Sequence, residues 1–290
     1  MVELNDEKIR KMVRENYGNI AKNAKTNSCC GPSVDPTNKS LNSCCGPSQE
    51  IDTSQVIGYT KDDLSKIPEN ANLGLGCGNP TALTSIKEGE TVIDLGSGAG
   101  IDCFLAANKV GKEGKVIGVD MTSQMLDSAR ENAKKGNYEN VEFRLGEIEN
   151  LPVADNTADL IISNCVINLS PDKQKVYQEA FRVLKPGGRI IVSDIVLTQE
   201  LPSFLKDSTV AYVACVSGAM KKKDYLNIIL KAGFHDVEIL KESIFPIKML
   251  LTDQLINELK EAHNLTSEQI EEIRNFEGNA ISLGVKAFKP

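Results

Sequence analysis

Val92-Ile93-Asp94-Leu95-Gly96-Ser97-Gly98-Ala99-Gly100 reads as a short apolar strand that runs into a glycine-rich turn. Glycine lets a backbone take positive φ and pass close to a ligand. Residues 100–109 then read as a helix. The next strand, Val116-Ile117-Gly118-Val119-Asp120, ends in a carboxylate about 20–25 residues beyond the turn, where an acid accepts hydrogen bonds from ribose hydroxyls. A glycine turn alone is weak, but two motifs in register predict a nucleotide-cofactor domain. The alternative is a Rossmann-like turn that holds no cofactor.

The spacing here is G-x-G-x-G, tighter than the dinucleotide fingerprint G-x-G-x-x-G. A tight loop preceded by Asp94 suits a cationic, phosphate-free nucleoside, and S-adenosylmethionine is such a molecule. A third segment, Leu145-Gly146-Glu147-Ile148-Glu149, follows the third strand. It is expected against the adenine, with Glu147 or backbone groups as hydrogen-bond partners and Ile148 as an apolar wall. A Gly-Glu turn is equally ordinary loop chemistry, so both readings stand.

Working outward, strands are expected over 91–95, 115–119, 141–145, 160–163 and 189–193, with helices over 100–109, 123–135 and 173–184 between them. Met125, Leu126 and Ala129 share one face of the second helix. Strands alternating with helices imply a parallel sheet covered on both faces. Lys185-Pro186-Gly187-Gly188 reads as a helix stop and a tight turn. Beyond residue 201 the expectation is a helix over 225–232, a strand over 237–240, helices over 253–262 and 267–276, and a last strand over 281–288 that pairs back into the sheet. Ahead of the core, residues 1–25 suggest a charged helix with Ile9, Met12, Val13 and Tyr17 at helical spacing. Residues 26–55 form a polar arm rich in Asn, Ser, Pro and Gly, expected to be flexible. The fold class is therefore α/β: a doubly wound Rossmann-like sheet, with a mobile cysteine-rich N-terminal arm over 1–55, a cofactor-binding core over 56–200, and a small α+β region over 201–290 that completes the sheet.

The eight cysteines of this 290-residue chain fall into two kinds. Four lie in a duplicated segment of the arm, Asn27-Ser28-Cys29-Cys30-Gly31-Pro32-Ser33 and Asn42-Ser43-Cys44-Cys45-Gly46-Pro47-Ser48. A stretch so polar has no packing reason to hold them. The other four are isolated. Cys103, on a helix, reads as a small buried apolar side chain, the usual state of free cysteine. Cys77 lies in the glycine-rich loop Leu73-Gly74-Leu75-Gly76-Cys77-Gly78-Asn79-Pro80, Cys165 at a strand end, and Cys215 just past the last sheet strand. Ligands of open α/β sheets bind beyond the carboxyl ends of the strands, so three thiols around one cleft suggest a thiophilic substrate. Zinc fits poorly, because structural sites favour C-x₂₋₄-C pairs, and the two histidines, His235 and His263, are remote from any cysteine in the sequence.

The run Ile161-Ile162-Ser163-Asn164-Cys165-Val166-Ile167-Asn168-Leu169-Ser170-Pro171-Asp172-Lys173-Gln174 resembles the signature of arsenite S-adenosylmethionine methyltransferases. So do Gly74-Leu75-Gly76-Cys77-Gly78, Gly118-Val119-Asp120-Met121-Thr122 and Arg182-Val183-Leu184-Lys185-Pro186-Gly187-Gly188. The likeness covers roughly residues 40–290. It implies a class I methyltransferase sheet in which Cys77, Cys165 and Cys215 carry arsenic(III) as a trithiolate. The cofactor is then expected among Asp94, Gly96, Ser97, Gly98, Asp120, Met121, Glu147, Ile148 and Asn164. A further cysteine upstream of the Cys77 loop, at Cys44 or Cys45, is implied as the redox thiol, with thioredoxin or glutathione as reductant and arsenite and methylarsenite as substrates.

Composition sets limits on the rest. A net charge of −7 argues against a polyanion-binding surface, so no nucleic acid is expected. No apolar run approaches a membrane span of about 18 residues. The charged start Met1-Val2-Glu3-Leu4-Asn5-Asp6 lacks an apolar signal core, so a cytoplasmic location is expected. Two other classes remain open: a methyltransferase acting on a small carbon or oxygen nucleophile with structural cysteines, and a non-catalytic protein that sequesters arsenic or metal.

Overall fold

Five strands follow the expected alternation: β1 (Thr91–Leu95), β2 (Lys115–Asp120), β3 (Val141–Leu145), β4 (Ala158–Asn164) and β5 (Leu184–Leu197). The computed structural model describes residues 5–26, 53–201, 206, 211–212, 215–245, 256, 260, 265–275 and 279–290. Three more strands, β6 (Met220–Lys221), β7 (His235–Ile244) and β8 (Ala280–Phe288), complete one sheet in the order β3-β2-β1-β4-β5-β8-β7, with β6 on β5. The pairs among β1–β5 are parallel, whereas β8 runs antiparallel to both β5 and β7. The last strand therefore does pair back into the sheet.

Ahead of the sheet lie α1 (Asp6–Thr26) and the short helices α2 (Thr53–Ile57), α3 (Lys61–Ser65) and α4 (Pro80–Leu83). Helices α5 (Ile101–Val110), α6 (Ser123–Lys135) and α7 (Lys173–Val183) cross between the parallel strands, followed by α8 (Lys222–Lys231) and α9 (Ser267–Asn275). Side chains alternate across a strand, and the core divides accordingly. Ile93, Leu95, Ile161 and Val192 pack with Val176, Tyr177 and Tyr225 of α7 and α8. Val92, Leu160, Ile162 and Ile191 face Phe104, Ala106 and Leu126 of α5 and α6. A third apolar cluster joins Ile9 and Val13 of α1 to Cys77, Cys165, Cys215 and Ile195. Helix α1 is thus held down by its own apolar stripe.

Two expectations change. Lys185-Pro186-Gly187-Gly188 does not form a free turn after α7. It lies within β5 as a bulge, between the pairs Ala158↔Leu184 and Leu160↔Arg189. Gly187 takes φ +77°, and its N–H and the Gly188 carbonyl bond to Lys289 at the chain end. The extra residues are absorbed because a proline and a left-handed glycine are what a bulge tolerates. The helix expected over 253–262 lies almost wholly outside the described residues, as do Cys29, Cys30, Cys44 and Cys45.

The glycine turn is fixed from two sides. The N–H groups of Gly96 and Ser97 donate to the Val119 carbonyl at 2.8 and 3.1 Å, tying the turn to β2. Gly96 has φ +69°, and a Cβ there would lie 2.3 Å from Val166 Cγ2. Gly98 has φ +52° with open space around it. Left-handed backbone costs an L residue about 1–2 kcal/mol, and overpacking adds about 1–3 kcal/mol. Gly98→Ala should therefore show the backbone cost alone and Gly96→Ala both costs, read as ΔΔG from urea unfolding. Equal losses in the two variants would contradict the packing of Val166 against the turn.

Candidate active site

A cavity of about 530 Å³ opens at the carboxyl ends of β1, β2, β4 and β5, the place expected for ligands of an open α/β sheet. Its lining includes the glycine turn with Asp94 and Asp120, together with Met121, Ile148 and side chains of α1. Asp120 Oδ2 accepts from the Gly98 N–H at 2.9 Å and Oδ1 from the Thr122 N–H at 2.8 Å, so the acid-ended strand and the turn brace one another. Burial pushes the carboxyls of Asp94 and Asp120 above the usual range, and for Asp94 the neighbouring charge of Asp102 adds to it. Asp102, on the first turn of α5, is raised by burial to about 6, opposed by hydrogen bonds from Tyr59 and Asn164. Cys103 is fully buried and its thiol donates to Asp94 Oδ2 at 3.2 Å, directly behind the cleft.

The residues expected around a cofactor sort unevenly. Asp94, Gly96, Ser97, Gly98, Asp120, Met121, Ile148 and Asn164 all border the cavity. Glu147 does not. Its half-buried carboxylate meets Arg14 at 3.1 Å and Arg10 at 3.4 Å, while Arg10 also reaches Glu149 at 3.2 Å. Glu149, buried and bonded by the Ser170 hydroxyl at 2.8 Å, stands on the cavity wall instead. The loop after β3 thus clasps α1 to the cleft. Arg10 and Arg14 lie within a charged helix whose alternating signs give no sequence signal for this contact.

The three isolated thiols share one apolar cluster beside the cavity, whose wall includes Cys165 and Cys215 but not Cys77. Cys77, Cys165 and Cys215 are 3, 9 and 6% exposed. Cys77 and Cys165 form a disulfide, with Cα atoms 5.7 Å apart. Cys215 is free, and its thiol donates to the Cys165 carbonyl at 3.2 Å. The Tyr17 hydroxyl, from α1, hydrogen-bonds Cys215. Burial, then the charge of Asp194, pushes the Cys215 thiol up to about 12, against the Tyr17 bond and Lys173, so it is protonated at neutral pH. Asp194, three residues before the end of β5, lies with Cys77 and Cys165 so that one ligand atom of each falls within 4.8 Å of the others, a group that does not include Cys215. It was not among the expected residues. Cys44 and Cys45, expected as redox partners of Cys77, lie outside the described residues. His235 sits on the exposed start of β7, 2.9 Å from Asp236, and does not border the cavity.

The backbone of the thiol site is unusual. Cys165 and Cys215 adopt φ of +58° and +62°, the left-handed region. The other described non-glycine residues with positive φ are two asparagines and an aspartate, the types that tolerate it. Cysteine has no such preference, and strain of this kind gathers at functional sites. This makes an ordinary packing role a poor account of either residue.

The sheet order, the glycine turn and the acid beside it define a methyltransferase of the Rossmann-like class, and residues 86–233 match the family described as methyltransferase domain. The chain is 48% identical to the arsenite methyltransferase of Halobacterium salinarum, over 80% of this chain and 59% of that protein. It is 31% identical to the human arsenite methyltransferase over 90% of this chain and 67% of that one. The solved structure of the arsenic (III) S-adenosylmethionine methyltransferase from Chlamydomonas reinhardtii matches with a TM-score of 0.61 and 32% identity, covering 82% of this chain and 73% of that one. The chain belongs to the arsenite methyltransferase family. It spans about three fifths of the length of the Halobacterium relative. No described helix is long and apolar enough to cross a membrane.

Two outcomes follow from this geometry. In ordinary extended or helical backbone glycine is about 0.5–1 kcal/mol worse than alanine, but at a left-handed position the order reverses. Cys215→Gly should unfold at higher urea than Cys215→Ala, and the usual order would mean that the strain at Cys215 is absent in solution. Asp194 is raised by burial to about 7, above its unfolded value near 3.8, so the fold favours its neutral form. The stability associated with that proton is present below pH 4 and lost as pH rises through 7. Asp194→Asn should therefore gain stability relative to the parent chain as pH goes from 4 to 8; a constant difference would contradict the buried carboxyl.

Proposed function

We propose that the chain transfers a methyl group from S-adenosylmethionine to trivalent arsenic bound by Cys77, Cys165 and Cys215. The observation that carries this reading is that Cys165 meets both Cys77, at disulfide distance, and Cys215, whose thiol donates to its carbonyl, in one cluster beside the cofactor cleft, two of the three in strained left-handed backbone. Soft donors select soft acceptors, and thiolates suit trivalent arsenic. The relatives named above support the same reaction.

The residues of the cleft fit the cofactor. Ser97 Oγ is buried without a hydrogen-bond partner among the described residues. The buried acids Asp94 and Asp102 line the cleft with the partly buried Asp120, a surround suited to a cationic nucleoside rather than to a phosphate. Asp120 would take the ribose hydroxyls, Gly96 and Gly98 would give close backbone approach, and Met121 and Ile148 would flank the base. S-adenosylmethionine supplies, when bound, a methyl group activated on a sulfonium sulfur.

The thiols take up arsenite by exchange. Each gives its proton to a hydroxyl of arsenous acid, which leaves as water while an arsenic–sulfur bond forms. The proton that burial holds on Cys215 is removed in that step, so no side-chain base is needed. Arsenic held by the thiols would accept, through its lone pair, the methyl group that the cofactor supplies. The thiolate site contributes position, an effect that can supply about 7–11 kcal/mol. Arsenic is formally oxidised by two electrons. Two of the arsenic-bound thiolates return them: the As–S bonds to Cys77 and Cys165 break as their sulfurs join in a disulfide, for which the two stand at the right distance, and water takes the vacated position as hydroxide with release of a proton. Thioredoxin or glutathione reopens it by exchange, with Cys44 or Cys45 exchanging with Cys77. This cycle needs a reducing compartment, which makes the cytoplasm its place.

Incubation with arsenite, S-adenosylmethionine and a thiol reductant, followed by speciation of arsenic, tests the reading: methylated arsenicals should accumulate, and their absence would refute it. Asp120→Ala should weaken cofactor binding by about 1.5–3 kcal/mol, the range for hydrogen bonds to charged groups, and leave arsenite binding unchanged. Unaltered cofactor affinity in calorimetry would remove Asp120 from the cofactor site.

A further inference from the structure

Asn164 borders the cofactor cleft, yet its polar atoms are spent on protein. Its Oδ1 accepts from the N–H groups of Cys77 at 3.1 Å and Gly78 at 3.3 Å. Its Nδ2 donates to the Gly78 carbonyl at 2.8 Å and the Tyr59 hydroxyl at 2.9 Å, with Asp102 Oδ2 at 3.3 Å. A primary amide has two acceptor sites and two donors, so these partners exhaust it. They also fix its orientation, since two N–H donors face one end and a carbonyl the other.

Around Cys77 itself the loop has no side chain beside the thiol to hold it. Glycine flanks Cys77 on both sides, and neither has a side chain to anchor. Gly76 has φ +128°, and a Cβ there would lie 2.9 Å from Asn164 Nδ2. A Cβ on Gly78 would lie 2.8 Å from Ser193 Cβ. The loop is pressed onto the carboxyl-terminal parts of β4 and β5; the Ser282 hydroxyl also holds the Cys77 carbonyl at 2.7 Å, and Asn79 holds the far side of the loop to the Gly58 carbonyl at 3.1 Å. Asn164 immediately precedes Cys165. One amide therefore ties the backbone of one thiol to the backbone of the other across 87 residues of chain. Tyr59, nearly fully buried, donates to Asp102 at 2.9 Å and accepts from Asn164, which holds the amide from behind.

We propose that Asn164, held by Tyr59 and Asp102, is a positioning residue that sets Cys77 against Cys165, and that it is not a ligand of the cofactor. The consequence for arsenic rests on the reaction proposed above; the pairing of the two sulfurs does not. If the amide sets the distance, it also sets how readily the pair closes. In that exchange two thiols are oxidised to a disulfide while glutathione disulfide is reduced to two glutathiones, so electrons and protons balance.

The test uses the full chain with Asn164→Ala and Tyr59→Phe, each equilibrated in glutathione buffers of graded ratio. Mass spectrometry of alkylated peptides reads the fraction of Cys77–Cys165 disulfide, and calorimetry reads the Kd for S-adenosylhomocysteine. Loss of the amide should lower the equilibrium constant for closing the disulfide by about tenfold or more, and loss of the hydroxyl by about threefold, as for one or two lost hydrogen bonds. The Kd should change by less than about twofold in both. With arsenite turnover, KM for arsenite should rise in both variants and KM for the cofactor should not. An unchanged disulfide equilibrium overturns the proposal, as does weakened cofactor binding with that equilibrium intact. If Asn164→Ala fails to fold, Tyr59→Phe decides by the same two readouts. A parent chain that binds no arsenite would defeat the proposed reaction and leave the disulfide result standing.

Discussion

The parallel register that sets Leu95 beside Ser163 ends β1 and β4 at one level of the sheet. The glycine turn leaves from the first strand and the Asn164-Cys165-Val166 segment from the second, so the two loops meet. Val166 fills the space that a side chain on Gly96 would need. Slipping this pairing by one residue would reverse the faces of Val92 and Ile93 and separate the cofactor turn from the thiol. The long apolar core on both faces is what makes such a slip costly. A cleft able to hold a nucleoside at one end and thiols at the other is thus a property of strand register before it is a property of any site residue.

The site works against the stability that the sheet provides. Two cysteines stand in left-handed backbone, and desolvation raises the carboxyls of Asp94, Asp102, Asp120 and Asp194. Each is a local loss that a protein selected only for folding would remove. Their shared location at the carboxyl ends of the strands is the physical argument that this end binds and reacts. Helix α1 joins both halves, because its Arg10 is clasped by Glu147 and Glu149 and its Tyr17 hydroxyl reaches Cys215.

What was legible in the sequence is what short-range patterning encodes. The strand, the glycine turn and Asp120 depend on residues close together in the chain, and their period and spacing announce them. The cysteines at 77, 165 and 215 were also visible, because isolated thiols in glycine-rich or strand-end segments have little packing reason to be there. The bulge at Lys185–Gly188 was not, since proline and glycine signal an ended helix and a bulge alike. Nor were the roles of Glu147 and Asn164. A carboxylate on a loop does not reveal that arginines from another helix will take it, and an amide next to a thiol does not reveal that its partners lie 86 and 87 residues away. Asp102 and Asp194 were overlooked because their importance lies in burial, which follows from tertiary packing.

The central claim is that three thiols of this chain act on one trivalent arsenic atom. X-ray absorption at the arsenic edge, on the fully reduced chain loaded with one equivalent of arsenite, measures this directly. The account predicts a shell of three sulfur neighbours and no oxygen, falling to two sulfurs and an oxygen in Cys165→Ser. An oxygen-dominated shell in the parent chain, or an unchanged sulfur shell in that variant, would contradict it.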